Sequence, residues 1–112
     1  MKKIPSCPVE ATVTLIGSKW KTLIIRDLID GTKRFNELKR SVNGISQKVL
    51  TENLREMEDN GLIMRTVYSE IPPKVEYSLT ETGISLNPVI ESMKNWGKEY
   101  LKENNIDECR LV

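Results

Sequence analysis

The stretch that decides the fold is residues 44–61, GISQKVLTENLREMEDNG. Ser46 is a favoured N-cap residue, because its hydroxyl can accept a hydrogen bond from an early helical amide. Gly61 suits the left-handed position that follows a helix, and Asn60 stands directly before it. The pattern therefore predicts a helix between these two ends.

The predicted helix is amphipathic. Its apolar face, at a spacing of about 3.6 residues, holds Val49, Leu50, Leu54 and Met57. Its polar face begins with side chains that can contact phosphates and base edges, namely Gln47, Lys48, Thr51, Glu52 and Arg55. An ordinary surface helix has the same pattern, so the neighbouring segments decide between the two interpretations.

Three helices are predicted upstream, over about residues 8–16, 19–30 and 36–41. Residues 32–34 are expected to form a polar turn before the third helix. Asn36 is the expected N-cap of that helix. A connection of about four residues that includes a glycine joins it to the next helix, which is the helix-turn-helix pattern.

The period of the sequence changes from about 3.6 to about 2 after the helix-turn-helix of residues 36–60. Residues 62–68 and 74–79 alternate and are rich in strand-forming side chains, and the turn 70–73 between them holds two prolines. This pattern predicts a β-hairpin wing over about residues 62–79. A helix-turn-helix followed by such a hairpin indicates a winged helix.

A long final helix is predicted over about residues 80–102, with Thr80 as its N-cap and a kink near Pro88. Its apolar stripe comprises Leu86, Val89, Ile90, Met93, Trp96 and Tyr100. Two explanations stay open for this stripe. It either packs against the first helix of the same chain or, as we favour, forms a dimer interface together with that helix.

The predicted fold class is therefore α+β, mainly α: one winged helix-turn-helix domain across residues 1–112. It has a two-stranded wing, and dimerisation helices over about residues 8–16 and 80–102 lie at the two ends.

Charge is distributed unevenly along the chain, although the net charge of the 112 residues is only +1. Residues 1–55 carry 11 basic and 5 acidic side chains (+6), whereas residues 56–112 carry 6 and 11 (−5). Such asymmetry favours a surface that binds a polyanion, and chance clustering is the alternative explanation.

Several functional classes are disfavoured by what the sequence lacks. The chain has no histidine, no CxxC and no Gly-rich nucleotide motif, so we expect no enzyme, metal site or cofactor. No apolar run approaches the roughly 18 residues of a membrane span, and the N-terminus does not resemble a signal peptide, so a cytoplasmic protein is expected. A winged helix that binds only other proteins is an alternative, but its recognition face would be acidic or apolar.

Five motifs resemble the HxlR-type transcriptional regulators, which are MarR-like winged-helix proteins of bacteria. The motifs are CPVE (7–10), GSKW (17–20), RFNEL (34–38), GISQKVL (44–50) and PPKVEYSL (72–79). The sequence departs from the family at Ser18, where many members have glycine, and at Asn43, where proline is common. The resemblance implies a homodimer that binds double-stranded DNA, with each recognition helix in a major groove and each wing beside it.

The candidate DNA contacts divide into two groups. Phosphate contacts are expected from Lys33, Arg34, Lys39, Arg40 and Lys74. Contacts inside the major groove are expected from Gln47, Lys48, Thr51 and Arg55. Ser46 is expected to act both as helix cap and as phosphate contact. The target genes, the operator and the direction of regulation do not follow from the sequence.

Cys7 has two interpretations. Some HxlR-type members sense electrophiles or oxidants through the cysteine that matches Cys7. Its place at a helix start, with Lys2 and Lys3 nearby, would favour a reactive thiolate. The thiol could then be alkylated or joined to Cys109 of the partner subunit. The alternative is a small buried side chain without chemistry, in a regulator without redox sensing.

Overall fold

The computed structural model describes residues 3–107 of the chain. Its helices and strands follow in the order α1 (Pro8–Ile16), α2 (Lys19–Ile29), β1 (Lys33–Arg34), α3 (Phe35–Ser41), α4 (Gln47–Asp59), β2 (Ile63–Tyr68), β3 (Lys74–Leu79), α5 (Glu81–Ile84) and α6 (Asn87–Glu103). Helices α3 and α4 form the helix-turn-helix, and β2 with β3 forms the wing.

Helix α4 has the ends that the sequence predicts. The Ser46 hydroxyl accepts a hydrogen bond from the amide of Val49 at 3.1 Å. Gly61 has φ +75°, the left-handed conformation that glycine adopts without steric cost. Leu50, Leu54 and Met57 are buried, so the apolar face of the helix lies in the core.

The sheet has three strands rather than the two that were predicted. All are antiparallel in the order β1-β3-β2, and β2 pairs with β3 from Ile63↔Leu79 to Tyr68↔Lys74. Strand β1, predicted as a polar turn, pairs Lys33 with Tyr77 on the outer side of β3. A strand of two residues shows no alternation in sequence, and only its distant partner reveals it.

The predicted cap of α3 is wrong. The helix begins at Phe35, and Arg34 is its N-cap residue, so Asn36 lies inside the first turn. Glu37 explains this start, because its carboxylate accepts a hydrogen bond from the backbone amide of Arg34 at 2.8 Å. Such a carboxylate at the third helical position satisfies an amide that would otherwise lack a partner.

The single final helix of the prediction is two helices. Thr80 is the N-cap of α5, as predicted, and its hydroxyl accepts from the amide of Gly83 at 3.1 Å. Helix α5 ends at Ile84, and α6 starts at Asn87 with Pro88 in its first turn. Proline lacks the amide that a continuous helix would need there, so the chain restarts a helix instead of kinking one.

The core lies between α2, α3, α4 and the base of the sheet. Its fully buried members include Ile24, Ile25, Leu38, Leu50 and Met57. Polar contacts also fix the helices. Lys21 Nζ lies 2.6 Å from Glu56 Oε1 and so links α2 to α4. The Ser41 hydroxyl donates to Asp27 Oδ2 at 2.7 Å and links α3 to α2.

Candidate nucleic-acid interface

The exposed face of α4 forms one side of a groove, and the wing forms the other side. This α4–wing groove has a volume of about 400 Å³. Its lining residues are Phe35, Gln47, Thr51, Leu54, Arg55, Glu58, Arg65 and Tyr77. Three of the four predicted base contacts, Gln47, Thr51 and Arg55, therefore share one concave surface.

A second groove lies between the start of α3 and the tip of the wing. This α3–wing groove has a volume of about 430 Å³ and is lined by Arg34, Phe35, Asn36, Glu37, Arg40, Pro73, Lys74 and Val75. It brings together three of the five predicted phosphate contacts, Arg34, Arg40 and Lys74. Neither arginine forms an ion pair with a residue in the described range 3–107.

Phe35 lines both grooves and is half-buried between them. The two grooves therefore adjoin, and the polar face of α4 continues into the cationic surface of α3 and the wing. The sequence analysis did not assign Phe35 to this surface. In the sequence, Phe35 was marked out by its position next to Arg34. An apolar residue beside a basic one can occur at the start of any helix, so this position did not indicate a binding surface.

Four predicted contacts lie outside both grooves. Ser46 and Lys48 are exposed at the start of α4, and Lys39 is exposed on α3. Lys33 is half-buried on β1. Ser46 already accepts the capping hydrogen bond, which leaves its hydroxyl proton free to donate to a phosphate.

Lys74 is partly neutralised within the wing. Its ammonium lies 3.4 Å from a Glu76 carboxylate oxygen and 5.1 Å from the centre of the Tyr68 ring. A hydrogen bond between the Tyr68 phenol and Glu76, together with the negative charge of that carboxylate, raises the pKa of the phenol. Because Glu76 lies beside Lys74, the net positive charge that this pair presents to DNA is smaller than that of either arginine in the same groove.

The sequence analysis also missed Arg65 and Glu58 in the α4–wing groove. Arg65 is exposed on β2, opposite Tyr77 of β3 in the strand register. The alternation of the strand carried a signal for it, because Arg65 is two residues after the buried Ile63 and so shares its face of the sheet.

A family model described as HxlR-like helix-turn-helix matches residues 15–105 of this chain. The chain belongs to the HxlR-like helix-turn-helix family. It is 55% identical over 106 residues to YdeP of Bacillus subtilis, an uncharacterized HTH-type transcriptional regulator, covering 95% of this chain and 81% of YdeP. The relatives are transcriptional regulators, and this chain is accordingly a DNA-binding regulator and not an enzyme.

Solved structures agree with the winged-helix fold. The redox regulator HypR in its oxidized form is similar with a TM-score of 0.79 and 52% identity, over 83% of this chain and 96% of HypR. A MarR-family transcriptional regulator from Enterococcus faecalis V583 is similar with a TM-score of 0.78 and 38% identity, over 94% and 96% of the two chains. The predicted family and fold class are thereby confirmed.

Two helices of this HxlR-like chain leave apolar side chains in solvent. Val9 and Val13 of α1 are 72% and 60% exposed. Trp96 of α6 is 70% exposed, and its ring stacks on that of Tyr100 with centroids 5.4 Å apart. We call these side chains, together with Met93, the α1/α6 surface. Within residues 3–107, about half or more of each of these residues is exposed.

The six predicted interface residues of α6 divide between this surface and the core. Met93, Trp96 and Tyr100 are exposed. Ile90 is buried in the core of its own protomer, and Leu86 and Val89 are half-buried against that core. Ile90 is therefore a core residue, and a partner can contact the exposed three.

Cys7 is exposed and directly precedes α1 as its N-cap residue. Its side chain makes no capping hydrogen bond, and because the residue is exposed the thiol is accessible to reagents. Cys7 lies outside the residues that the family model matches. Its suggested partner Cys109 lies outside the described residues.

No helix in residues 3–107 is long and apolar enough to cross a membrane. In the same part of the chain, no group of three or more cysteine, aspartate and glutamate side chains is arranged to hold a metal ion.

Proposed function

We propose that this regulator acts as a homodimer that binds a roughly palindromic operator, with α4 of each subunit in a major groove. The observation that carries the proposal is the continuity of the two grooves through Phe35. The groove-facing side chains of α4 and the cations of α3 and the wing lie on one surface, so base contacts and phosphate contacts can form together.

The chemistry of each side chain decides whether it can contact a base or a phosphate. Gln47 can pair with adenine, and Lys48 and Arg55 can donate to the acceptors of guanine. The Thr51 hydroxyl donates to the carbonyl oxygen of Gln47 at 2.9 Å, so towards a base it offers acceptor lone pairs. Arg34 and Arg40 supply phosphate contacts, with smaller contributions from the partly neutralised Lys74 and from Lys33, Lys39 and Ser46.

The α1/α6 surface supports the homodimer. On α6, Met93 and the stacked rings of Trp96 and Tyr100 are all exposed, and exposed apolar side chains with aromatic rings are typical of an interface. Two-fold symmetry would set the two α4 helices about one DNA turn apart, so the half-sites should be separated by about 10 base pairs or a multiple of that.

The assignment of α4 is tested by Lys48→Ala and Arg55→Ala. Both side chains are exposed, so folding should be retained. Each variant should lose about 1–3 kcal/mol of the free energy of specific binding, as expected for a direct base contact. The measurement is fluorescence anisotropy with the DNA upstream of the protein's own gene, and Lys98→Ala on α6 is the control.

Equal binding by the wild type and both variants would contradict the assignment of the α4 face. Absence of DNA binding at low salt would favour a winged helix that binds other proteins. Specific binding should weaken with salt, with a log–log slope of about −0.9 for each phosphate neutralised.

We further infer that modification of Cys7 controls binding. Cys7 is an exposed thiol at the start of α1, the helix that carries Val9 and Val13 of the α1/α6 surface. HypR, which is similar over most of this chain, is a redox regulator. Alkylation of Cys7, or a disulfide formed when two thiols lose two electrons and two protons to an oxidant, would alter the α1/α6 contacts and thereby the spacing of the two α4 helices.

The test compares the wild type and Cys7→Ser with and without a thiol oxidant. The wild type should lose operator binding on oxidation, and the variant should keep it. Loss of binding in both proteins would place the sensitive group elsewhere. Unchanged binding in both would leave a regulator without redox sensing.

A further inference from the structure

Arg55 and Arg65 belong to different elements but line the same α4–wing groove. Arg55 is on α4, and Arg65 is on β2 of the wing. In the described part of the chain, neither guanidinium has a carboxylate within ion-pair distance, although Glu58 lines the same groove. Two guanidiniums beside one carboxylate give this groove a net positive charge, which favours an anion.

The direction of Arg65 follows from the register of the sheet. Arg65 is opposite Tyr77, and directly paired residues of antiparallel strands project from the same face. Tyr77 is buried at 9% exposure, whereas Arg65 is exposed. Arg65 therefore lies on the same face of the wing as the buried Tyr77, and this face is turned towards α4.

The length of α4 separates the roles of the two arginines. Its 13 residues span about 20 Å, and the major groove is about 12 Å wide. A recognition helix contacts base edges from its N-terminal end, so the last turn of α4, which follows Arg55, lies near the DNA backbone. Arg65 enters this groove from the wing rather than from α4, and it shares the groove with Glu58 of that last turn as well as with Gln47, Thr51 and Arg55.

We propose that Arg65 binds a DNA phosphate at the edge of the major groove, beside the bases that α4 contacts. This inference rests on the proposed function. Arg65 would hold the wing and α4 on the same DNA strand and would offset the repulsion between the backbone and Glu58. Because phosphates are the same in every sequence, the contact supplies affinity and register without sequence preference.

The experiment measures binding of the full chain to its upstream DNA and to a random-sequence duplex over a range of salt concentrations. Arg65→Gln should weaken binding to both duplexes by the same factor and should make the log–log salt slope shallower by about 0.9. Arg55→Gln should instead reduce the preference for the upstream DNA. Glu58→Gln, which removes a negative charge from the same groove, should strengthen binding to both duplexes.

Lys98→Gln on α6 removes the same charge as Arg65→Gln outside the groove and should leave the slope unchanged. If Arg65→Gln bound both duplexes with the wild-type affinity and slope, the phosphate contact would be refuted while the proposed function stood. Loss of sequence preference in Arg65→Gln, without a change in slope, would make Arg65 a base contact and also refute it. A wild type that bound neither duplex would refute the proposed function and this inference together.

Discussion

At the scale of the residue, the ion pair between Lys21 and Glu56 fixes the position of α4. Lys21 is only 6% exposed, and its ammonium lies 2.6 Å from Glu56 Oε1. A buried ammonium is costly without a partner, so the pair constrains how α2 and α4 pack. The Glu56 side chain is 33% exposed, and water therefore compensates part of the loss if Lys21 is removed.

Lys21→Ala should lower the free energy of unfolding by about 2 kcal/mol, below the range for a fully buried pair because Glu56 stays partly solvated. Lys21→Met, which keeps the apolar stem, should cost less. Urea denaturation measures both. Since Glu56 has further interactions, a double-mutant cycle with Lys21→Met and Glu56→Gln isolates the pair, and a coupling energy below about 0.3 kcal/mol would contradict its role.

At the scale of the element, the junction of α5 with the base of the wing depends on Gly83. A Cβ atom at this position would lie 2.1 Å from the carbonyl oxygen of Leu62, which is a backbone atom that cannot move aside. Gly83→Ala should therefore destabilise the fold by about 1–3 kcal/mol or more through overpacking. Thermal unfolding measures the change.

Gly61→Ala is the matched control for that substitution. A Cβ at Gly61 would meet no atom within 4 Å, and the cost arises only from its φ of +75°. It should be about 1–2 kcal/mol. Gly83→Ala with wild-type stability would show that α5 can shift away from β2.

The elements that sequence alone predicted are those with local signals. Helix α4 combines a serine cap, an amphipathic period and a terminal glycine within 18 residues, and the wing combines alternation with a proline-containing turn. Strand β1 and the start of α3 could not be predicted in this way. The first is defined by pairing with residues more than 40 positions away. The second is defined by the Glu37 carboxylate, which accepts a hydrogen bond from the Arg34 amide and so favours Arg34 over Asn36 as the N-cap residue.

The candidate site was predictable only in part for the same reason. The polar face of α4 is visible in the helical period, so Gln47, Thr51 and Arg55 were found. Strand alternation places Arg65 on the same face as Ile63, but strand pairing and the fold of the wing decide that this face lies against α4, and no local pattern reports that.

At the scale of the whole molecule, the α1/α6 surface should mediate dimer formation. Trp96→Glu places a charge where the side chain is 70% exposed, so the protomer should fold normally. Burial of that charge in an interface would be unfavourable, and the variant should therefore be a monomer with weaker operator binding. Sedimentation equilibrium measures the mass, and Met64→Glu, at a 50% exposed apolar residue of the wing, should stay dimeric.

A Trp96→Glu variant that remained a dimer would place the interface elsewhere. A wild type that sedimented as a monomer would remove the basis for a two-fold symmetric operator.

The central claim is that two copies of α4 contact successive major grooves of one operator. Selection of binding sites by the wild type from a random DNA library tests it most directly, since the location of the natural operator need not be known. The account predicts enrichment of an inverted repeat with half-site centres about 10 base pairs apart or a multiple of that. Enrichment of a single asymmetric site, or of no sequence at all, would contradict it.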